Sequence, residues 1–560
     1  MKQKFFIFFL LFFISCAKVP PQPILLPKEI IHHTPLQISS GSAVVRDLYR
    51  SFWVLPSKDI DFIHLGLIPS ASNIEFSSRY DFRIRIHEEH DAWDIFSPSG
   101  VKWEIVEPDQ IRPSLIRYFA TIDYKILQPG QFVQNNDTLP WIKQGFKNTQ
   151  WVGPPKMDAK NQKQQLLRYF LSVDDFSSEA KANQFCQNFN KKFSKKCTVL
   201  GRMELPLLGK GIIRAKNSNF EKSFTGVVEL ITNNNHSIDV HHVPVELLSN
   251  KTKTLSIHDQ IFILPNQKKE FSVVEVLPLK NYLEGVLPSE IFPSAPIEAL
   301  KAQAVIARTY TLSQLWSRYA LEPFYTCVTT QCQAYHGKKK SYPQIEKAVL
   351  QTSNIIVRNT DQDFTQTFYH ASSGGKTDNA FTIFQGQKTS NAGGTNDFIE
   401  NTNLNLQREE DVKKLIVENI ETYCSQTRFS KHRDEWEKTF DAKDLENIFK
   451  QPVFNIKIIE RGISGRATSI EVAFKNTKKI IKDQLTIRQT FQGLPSTLMF
   501  FEITRDDNGA ISKLHTIGRG RGHGVGLSQL GAIGRAEHGQ NYQQILQSYY
   551  PQTHLSTILQ

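Results

Sequence analysis

Three polar clusters in this 560-residue chain carry more chemistry than a packed interior requires. The first is "LPSEIFPSAP", with Glu290 between Pro288 and Pro293. Two prolines stiffen the loop and fix how the carboxylate is presented. Beside Ile291 and Phe292 its pKa should be raised, as a general acid requires, the alternative being a solvated loop glutamate. The second is "FYHASSGGKTDNAF", where His370, Ser372 and Ser373 run into Gly374-Gly375, a turn that lets backbone amides approach a ligand. A serine–histidine nucleophile lacks the G-x-S-x-G elbow here, and a hydroxyl-rich hairpin loop is the other reading. The third is "GRGRGHGVGLSQLGAIG", Gly518 to Gly534, with glycine at every second place from Gly518 to Gly526. Its spacing matches neither the dinucleotide fingerprint nor the phosphate loop. It sets His523, Ser528 and Gln529 among residues of little bulk, a wall with clearance for a hydroxyl-rich strand. A tight extended strand packed on other backbone is the alternative.

These clusters need elements to hold them. "FSVVEVLPLKNYLEGVLPSE" reads as a strand and a short helix ending near Pro288. "SAPIEALKAQAVIARTYTLSQLWSRY" reads as a long, largely buried helix, with Pro296 and Glu298 suited to its first turn. Gln407 to Phe449, charged and containing Trp436, reads as flanking helices. From about Ala43 to Val245, short alternating stretches such as "YDFRIRIHE" and "FTGVVELIT" predict mainly strands. Within them, "RYFLSVDDFSSEAKANQFCQNFNKKFSKKCTVL" reads strand, helix, strand, with Ser177 or Ser178 as the cap. It resembles half of a SPOR glycan-binding module, a plain α/β insertion being the alternative. Helices and strands mix without regular β-α-β alternation, which predicts an α+β fold. The expected divisions are 1–16, 17–42, 43–270 and 271–560.

The beginning of the chain sets the address. Lys2 and Lys4 precede an apolar run from Phe5 to Ile14, too short to span a membrane and suited to a secretory signal. Ile14-Ser15-Cys16 resembles a bacterial lipobox, which would make Cys16 the lipidated residue, with an uncleaved anchor or ordinary signal as alternatives. A proline-rich tether follows. An exported protein with a net charge of +12 favours envelope polymers or membrane surfaces over nucleic acid. Cys186 with Cys197 and Cys327 with Cys332 suit disulfides in an oxidising compartment, leaving Cys424 free. Cys327 and Cys332 with His336 are the alternative metal set, a structural zinc, although the spacing is not a standard one. No other cofactor is expected.

Five stretches in one order carry a family resemblance: "LPLKNYLEGVLPSEI", "PIEALKAQAVIARTYTL", "CQAYHG", "FYHASSGGKT" and "GRGHGVGLSQLGAIGRAEHGQNYQQILQSYYPQT". Over roughly residues 270 to 555 the chain resembles the SpoIID/LytB family of stage II sporulation protein D and amidase enhancers. The resemblance implies peptidoglycan as partner and a lytic transglycosylase that cuts MurNAc–GlcNAc bonds, preferably of strands stripped of stem peptides. It maps the catalytic acid onto Glu290, and a groove onto Gln303, Arg308 and Tyr310 of the long helix, His370 to Gly375, and His523 to Gln529. Strands from 355–370 and 455–500 are expected to border that groove. Arg521 and Leu527 depart from the family's commoner residues, and Arg521 would add a positive contact. One carboxyl group would suffice for the chemistry, with Glu284 and Asp378 as possible assistants. The rival is a non-enzymatic wall-binding protein that stimulates an amidase, and an amidase or division or sporulation proteins are the implied partners.

Overall fold

Alternating apolar residues in the N-terminal half pair into three antiparallel-rich sheets. The structure, a computed structural model, describes residues 61–127, 131–154, 166–232, 236–245, 251–313, 319–329, 331–338, 340–359, 364–384, 394–431 and 433–559, with pieces at 31–33, 41–49, 54–55 and 58. Cys16 and most of the tether lie outside them, although three tether residues, Ile31–His33, form an edge strand against Trp93–Ile95. Among the described residues no helix is long and apolar enough to cross a membrane.

In strand Phe82–His87, Phe82, Ile84 and Ile86 are buried while Arg83 and Arg85 are less so, the two-residue period that marks one covered face. That strand belongs to an eight-stranded sheet running 31–33, 92–97, 82–87, 227–232, 260–265, 271–278, 62–71 and 326–327. A six-stranded sheet orders 221–225, 208–215, 102–112, 74–77, 238–244 and 252–257. A five-stranded sheet joins 115–127, 150–152, 166–176 and 198–205 to Val54–Leu55. On it lies the Glu179–Lys192 helix, capped by Ser178, burying Ala182, Cys186 and Phe189 and bridged by Cys186–Cys197.

Strand Phe271–Pro278 sits inside the eight-stranded sheet between Gln260–Pro265 and Phe62–Ala71. It passes directly into the Leu279–Glu290 helix, whose Leu279 N–H donates to Asp61 O at 2.9 Å. The next helix, Ile297–Leu312, is packed on by helices 279–290, 343–351, 529–537 and 542–549. Ala299, Ala302, Ala304 and Ala307 are fully buried there, and such small side chains let neighbouring backbones approach. Deleting a large partner such as Leu300 typically costs about 2–5 kcal/mol. This helix ends at Leu312, seven residues before Tyr319, where the Ser313 N–H closes on Thr309 O. One continuous core holds Leu65 and Ile263 of the N-terminal strands together with Leu283 and Val305 of the helices.

Farther along, two three-stranded sheets share a second core. The 407–449 stretch supplies helices Glu409–Val417 and Ala442–Phe449, but Trp436 lies on strand Glu435–Asp441. The indole fills the space above Gly518, whose missing Cβ would lie 2.2 Å from it. A strand was required there to pair with Ile511–Arg519.

Candidate active site

Glu290 ends its helix rather than standing on a loop, because Pro288 is accommodated within the last turn. That turn closes through Ile291 N–H to Leu287 O at 2.9 Å and Ser289 Oγ to Gly285 O at 3.2 Å. Glu290 is partly buried. Its Oε1 accepts the Ala334 N–H at 2.7 Å. Burial raises the carboxyl pKa, while hydrogen bonds from Ala334, Tyr369 and Gln529 pull it back. Tyr369 also donates to Gln333 Oε1 at 3.1 Å, so one hydroxyl hydrogen has two acceptors. Strand Tyr369–His370 runs parallel to Leu527–Ser528, which opens helix Gln529–Glu537, and this register brings Tyr369 and Gln529 to one carboxyl group.

The segment supplying the Ala334 amide is fixed residue by residue. Cys332 is bridged to Cys327. Gln333 Nε2 donates to Thr311 Oγ1 at 2.8 Å and Tyr282 OH at 3.2 Å. Tyr335 stacks on Tyr282, donates to Glu275 Oε1 at 3.2 Å, and its carbonyl accepts Lys253 Nζ at 2.7 Å. His336 Nδ1 meets Ser289 Oγ at 2.8 Å, and Lys338 pairs with Glu284 at 2.6 Å. Glu284 also binds Lys280, and Asp378 accepts from Ser464 Oγ at 2.6 Å. Both carboxylates are committed elsewhere, whereas the Glu290 carboxyl is met by Ala334, Tyr369 and Gln529.

Residues 267–358, which contain the acid, its helices and the 332–338 segment, match the family described as stage II sporulation protein, SpoIID. Residues 383–526 match a domain of unknown function. An uncharacterized protein of Brachyspira hyodysenteriae is 30% identical over 281 residues, 50% of this chain and 66% of that protein. The amidase enhancer of Bacillus subtilis is 27% identical over 304 residues, 49% of this chain and 40% of that protein. Stage II sporulation protein D of the same organism is 27% identical over 298 residues, covering 50% of this chain and 76% of it. The chain carries a SpoIID-family domain. It spans less than two thirds of the first two relatives' length.

The serine loop is interior rather than groove. Ser372 and Ser373 are fully buried. Ser372 Oγ donates to Asp434, which also holds Arg519 at 2.7 Å. Ser373 Oγ donates to Asp397 at 2.7 Å, and Asp397 pairs with Arg535 at 2.9 Å and accepts Tyr549 OH at 2.8 Å. Two carboxylates without water need such partners, and the serines supply them. Gly374 fits because a Cβ would lie 2.8 Å from Leu498 and 3.0 Å from Gly520 N. Free Cys424 is buried in the same network, and burial pushes its thiol up to about 11.

The alternating glycines make room for protein. At Gly524 a Cβ would lie 2.5 Å from the guanidinium of fully buried Arg466, and at Gly526 1.9 Å from Phe368 O. The packed-backbone alternative therefore describes this loop. His370 Nδ1 bonds Val525 O at 3.1 Å, and burial holds the ring well below its usual pKa. His523 Nδ1 accepts the Val525 N–H at 3.0 Å, and its ring is lowered to about 4 by burial and by Arg466 and Arg488. No hydrogen bond joins His523 to Glu290 among the described residues. The 455–461, 467–473 and 478–482 strands form a separate sheet. The turn between the first two of these strands delivers Arg466, which donates to Ser372 O at 3.1 Å.

Of the three residues singled out on the long SpoIID helix, Tyr310 has its ring 6.4 Å from that of Tyr369, a hydrogen-bond partner of Glu290. Arg308 is buried and donates to Ile355 O at 3.0 Å, tying helix to strand. Gln303 is also wholly interior, with neither amide atom hydrogen-bonded among the described residues. Cys327 and Cys332 are disulfide-bonded and offer no thiolate for zinc. Sequence reasoning missed the Ala334 amide and Gln333, although both lie in the quoted "CQAYHG", and Tyr369, which precedes the chosen histidine.

Proposed function

We propose that the chain is a peptidoglycan lytic transglycosylase with Glu290 as its single acid and base. The observation that carries this reading is a partly buried carboxyl with raised pKa, fixed by the Ala334 N–H at 2.7 Å and faced by Tyr369 and Gln529. Protonated Glu290 donates to the glycosidic oxygen as an oxocarbenium-like centre develops at MurNAc C1. The resulting carboxylate removes the proton of the same sugar's C6 hydroxyl as that oxygen attacks C1. The product is a 1,6-anhydro end. No water is consumed, so no second carboxylate is needed, which agrees with the other commitments of Glu284 and Asp378. The three donors stabilise the carboxylate stage, and burial favours the acid stage.

The same reading places the protein outside the cytoplasm, anchored through a lipid on Cys16, with glycan strands as its partner and an amidase or division or sporulation proteins as further partners. Digestion of purified, stem-free glycan followed by mass spectrometry tests it. Anhydro-sugar ends from the parent and at least about 100-fold fewer from Glu290→Gln are expected. Firm glycan binding without cleavage by the parent would instead assign the role named by one relative, an amidase enhancer.

A further inference from the structure

A cavity of about 380 Å³ opens on the six-stranded sheet, beside the acid's supporting loop rather than at the carboxyl itself. It forms where strand Ile238–Pro244 bulges. The pairing with Thr252–Ile257 jumps from Val240↔Leu255 to Val243↔Lys253, so that His241 and His242 together oppose Thr254. His242 has φ +59°, a left-handed conformation that costs a residue with a Cβ about 1 kcal/mol or more. Bulges of this kind re-aim side chains, and the His242 side chain is 65% exposed.

The lining charge is unbalanced. Lys102, Lys253, His241 and His242 face one acid, Glu75. Glu75 is already held from outside the cavity by Lys216 Nζ at 2.7 Å, a bond that lowers its pKa, and from inside by His242 Nε2 at 3.7 Å. His241 is engaged by Ser77 Oγ at 2.9 Å and Thr254 Oγ1 at 3.1 Å. Lys102 is exposed and makes no ion pair among the described residues. What the cavity offers is therefore the Lys102 ammonium without an ion pair among the described residues, the exposed His242 imidazole beside Glu75, and the Thr252 hydroxyl.

Lys253 joins this cavity to the acid. Its Nζ donates to Tyr335 O at 2.7 Å, and the preceding residue, Ala334, donates to Glu290 Oε1 at 2.7 Å. Since two residues of chain span at most about 7 Å, the Lys253 ammonium and the Glu290 carboxyl are no more than about 12 Å apart. Lys102 lies three strands from Lys253 in the sheet, about 14 Å farther on, so a polymer lying across Glu290 and along the sheet would reach it within several sugar units.

We propose that this cavity is a subsite for a carboxylate carried by the polymer cleaved at Glu290, seated against Lys102 with His242 and Thr252 beside it. The inference rests on the glycan reading above and adds a recognition element supplied by the N-terminal half. Two sources carry that chemistry in peptidoglycan: the lactyl group of a stem-free MurNAc and the acidic groups of an attached peptide.

The test uses the full chain with Glu290→Gln, so that binding is read without cleavage, on three glycans: stem-free, peptide-bearing, and stem-free with its carboxyls reduced to alcohols. Adding Lys102→Gln should weaken binding to a carboxylate-bearing glycan roughly 3- to 5-fold at low salt, as for an exposed ion pair. It should leave binding to the carboxyl-reduced glycan unchanged. Lys102 dependence on stem-free glycan assigns the lactyl group, and dependence on peptide-bearing glycan alone assigns the peptide. Lys102→Glu, at an exposed position that tolerates charge, should weaken binding further. Equal binding of parent and Lys102 variants to all three glycans overturns the subsite and leaves the glycan reading intact. A parent that binds none of them overturns both.

Discussion

The Ala334 amide donates to the Glu290 carboxylate at 2.7 Å, so the acid is held by backbone from a segment 44 residues away. A backbone donor cannot rotate away as a side chain can. It favours the charged form, while burial favours the neutral one, and burial is the larger influence.

Replacing Glu290 by Gln should lower cleavage of stem-free glycan by about 10²–10⁴-fold while leaving glycan binding in place. The parent's pH profile carries the sign. A raised pKa keeps the acid protonated to higher pH than a free glutamate, so cleavage should decline as pH rises through that value. A profile that falls at the pH of an ordinary carboxylate would contradict the assignment.

Tyr369→Phe removes a hydrogen bond that lowers the Glu290 pKa. The descending limb of the profile should therefore move to higher pH, so that along that limb the variant keeps a larger share of its maximal rate than the parent does. A variant slower by the same factor at every pH would make Tyr369 a packing residue only.

Ser372→Ala and Ser373→Ala should each destabilise the fold by about 1–3 kcal/mol, since each strips a donor from a buried carboxylate. Because both side chains are interior, KM for glycan should stay at the parent's value. Thermal melts beside kinetics separate the two effects, and a raised KM with an unchanged melt would return the serines to the groove.

Gly526→Ala should prevent folding or lower the melting temperature sharply, because its Cβ would fall 1.9 Å from a carbonyl oxygen. Gly509 has a similar positive φ but nothing within 4 Å, so Gly509→Ala should cost only the conformational strain of about 1–2 kcal/mol. Similar melts for both would mean that strain, not crowding, governs the Gly518–Gly526 run.

Cys327 and Cys332 enclose a short loop, so replacing both by serine should cost only about 2 kcal/mol of stability. Activity should fall by more than the melt explains, because Gln333 and Ala334 follow the second cysteine directly. Equal rates for the double variant and the parent below both melting temperatures would show that the segment's other bonds suffice.

What the sequence disclosed depended on whether the partner was near in the chain. Glu290 stood out because its neighbours are prolines and apolar side chains, and the α+β class followed from local periodicity. Both disulfides link cysteines close in sequence. The serines misled because the carboxylates that claim them, Asp397 and Asp434, arrive from other segments. The glycines misled for the same reason. Glycine announces that something comes close, but not that the something is Arg466. Arg308 and Gln303 were read as groove residues on a helix whose burial extends almost all the way round.

The Phe271–Pro278 strand has a consequence for how this chain can be divided. It enters the helix of the acid at one end and is flanked by Phe62–Ala71 and Gln260–Pro265 on its two sides. A fragment starting at residue 271 would carry every residue bonded to Glu290 yet leave that strand with both edges bare. Its apolar faces would be open to self-association. A gene cut at the boundary suggested by sequence similarity should give inclusion bodies, whereas expression from before Phe62 keeps the acid's helix anchored to its sheet.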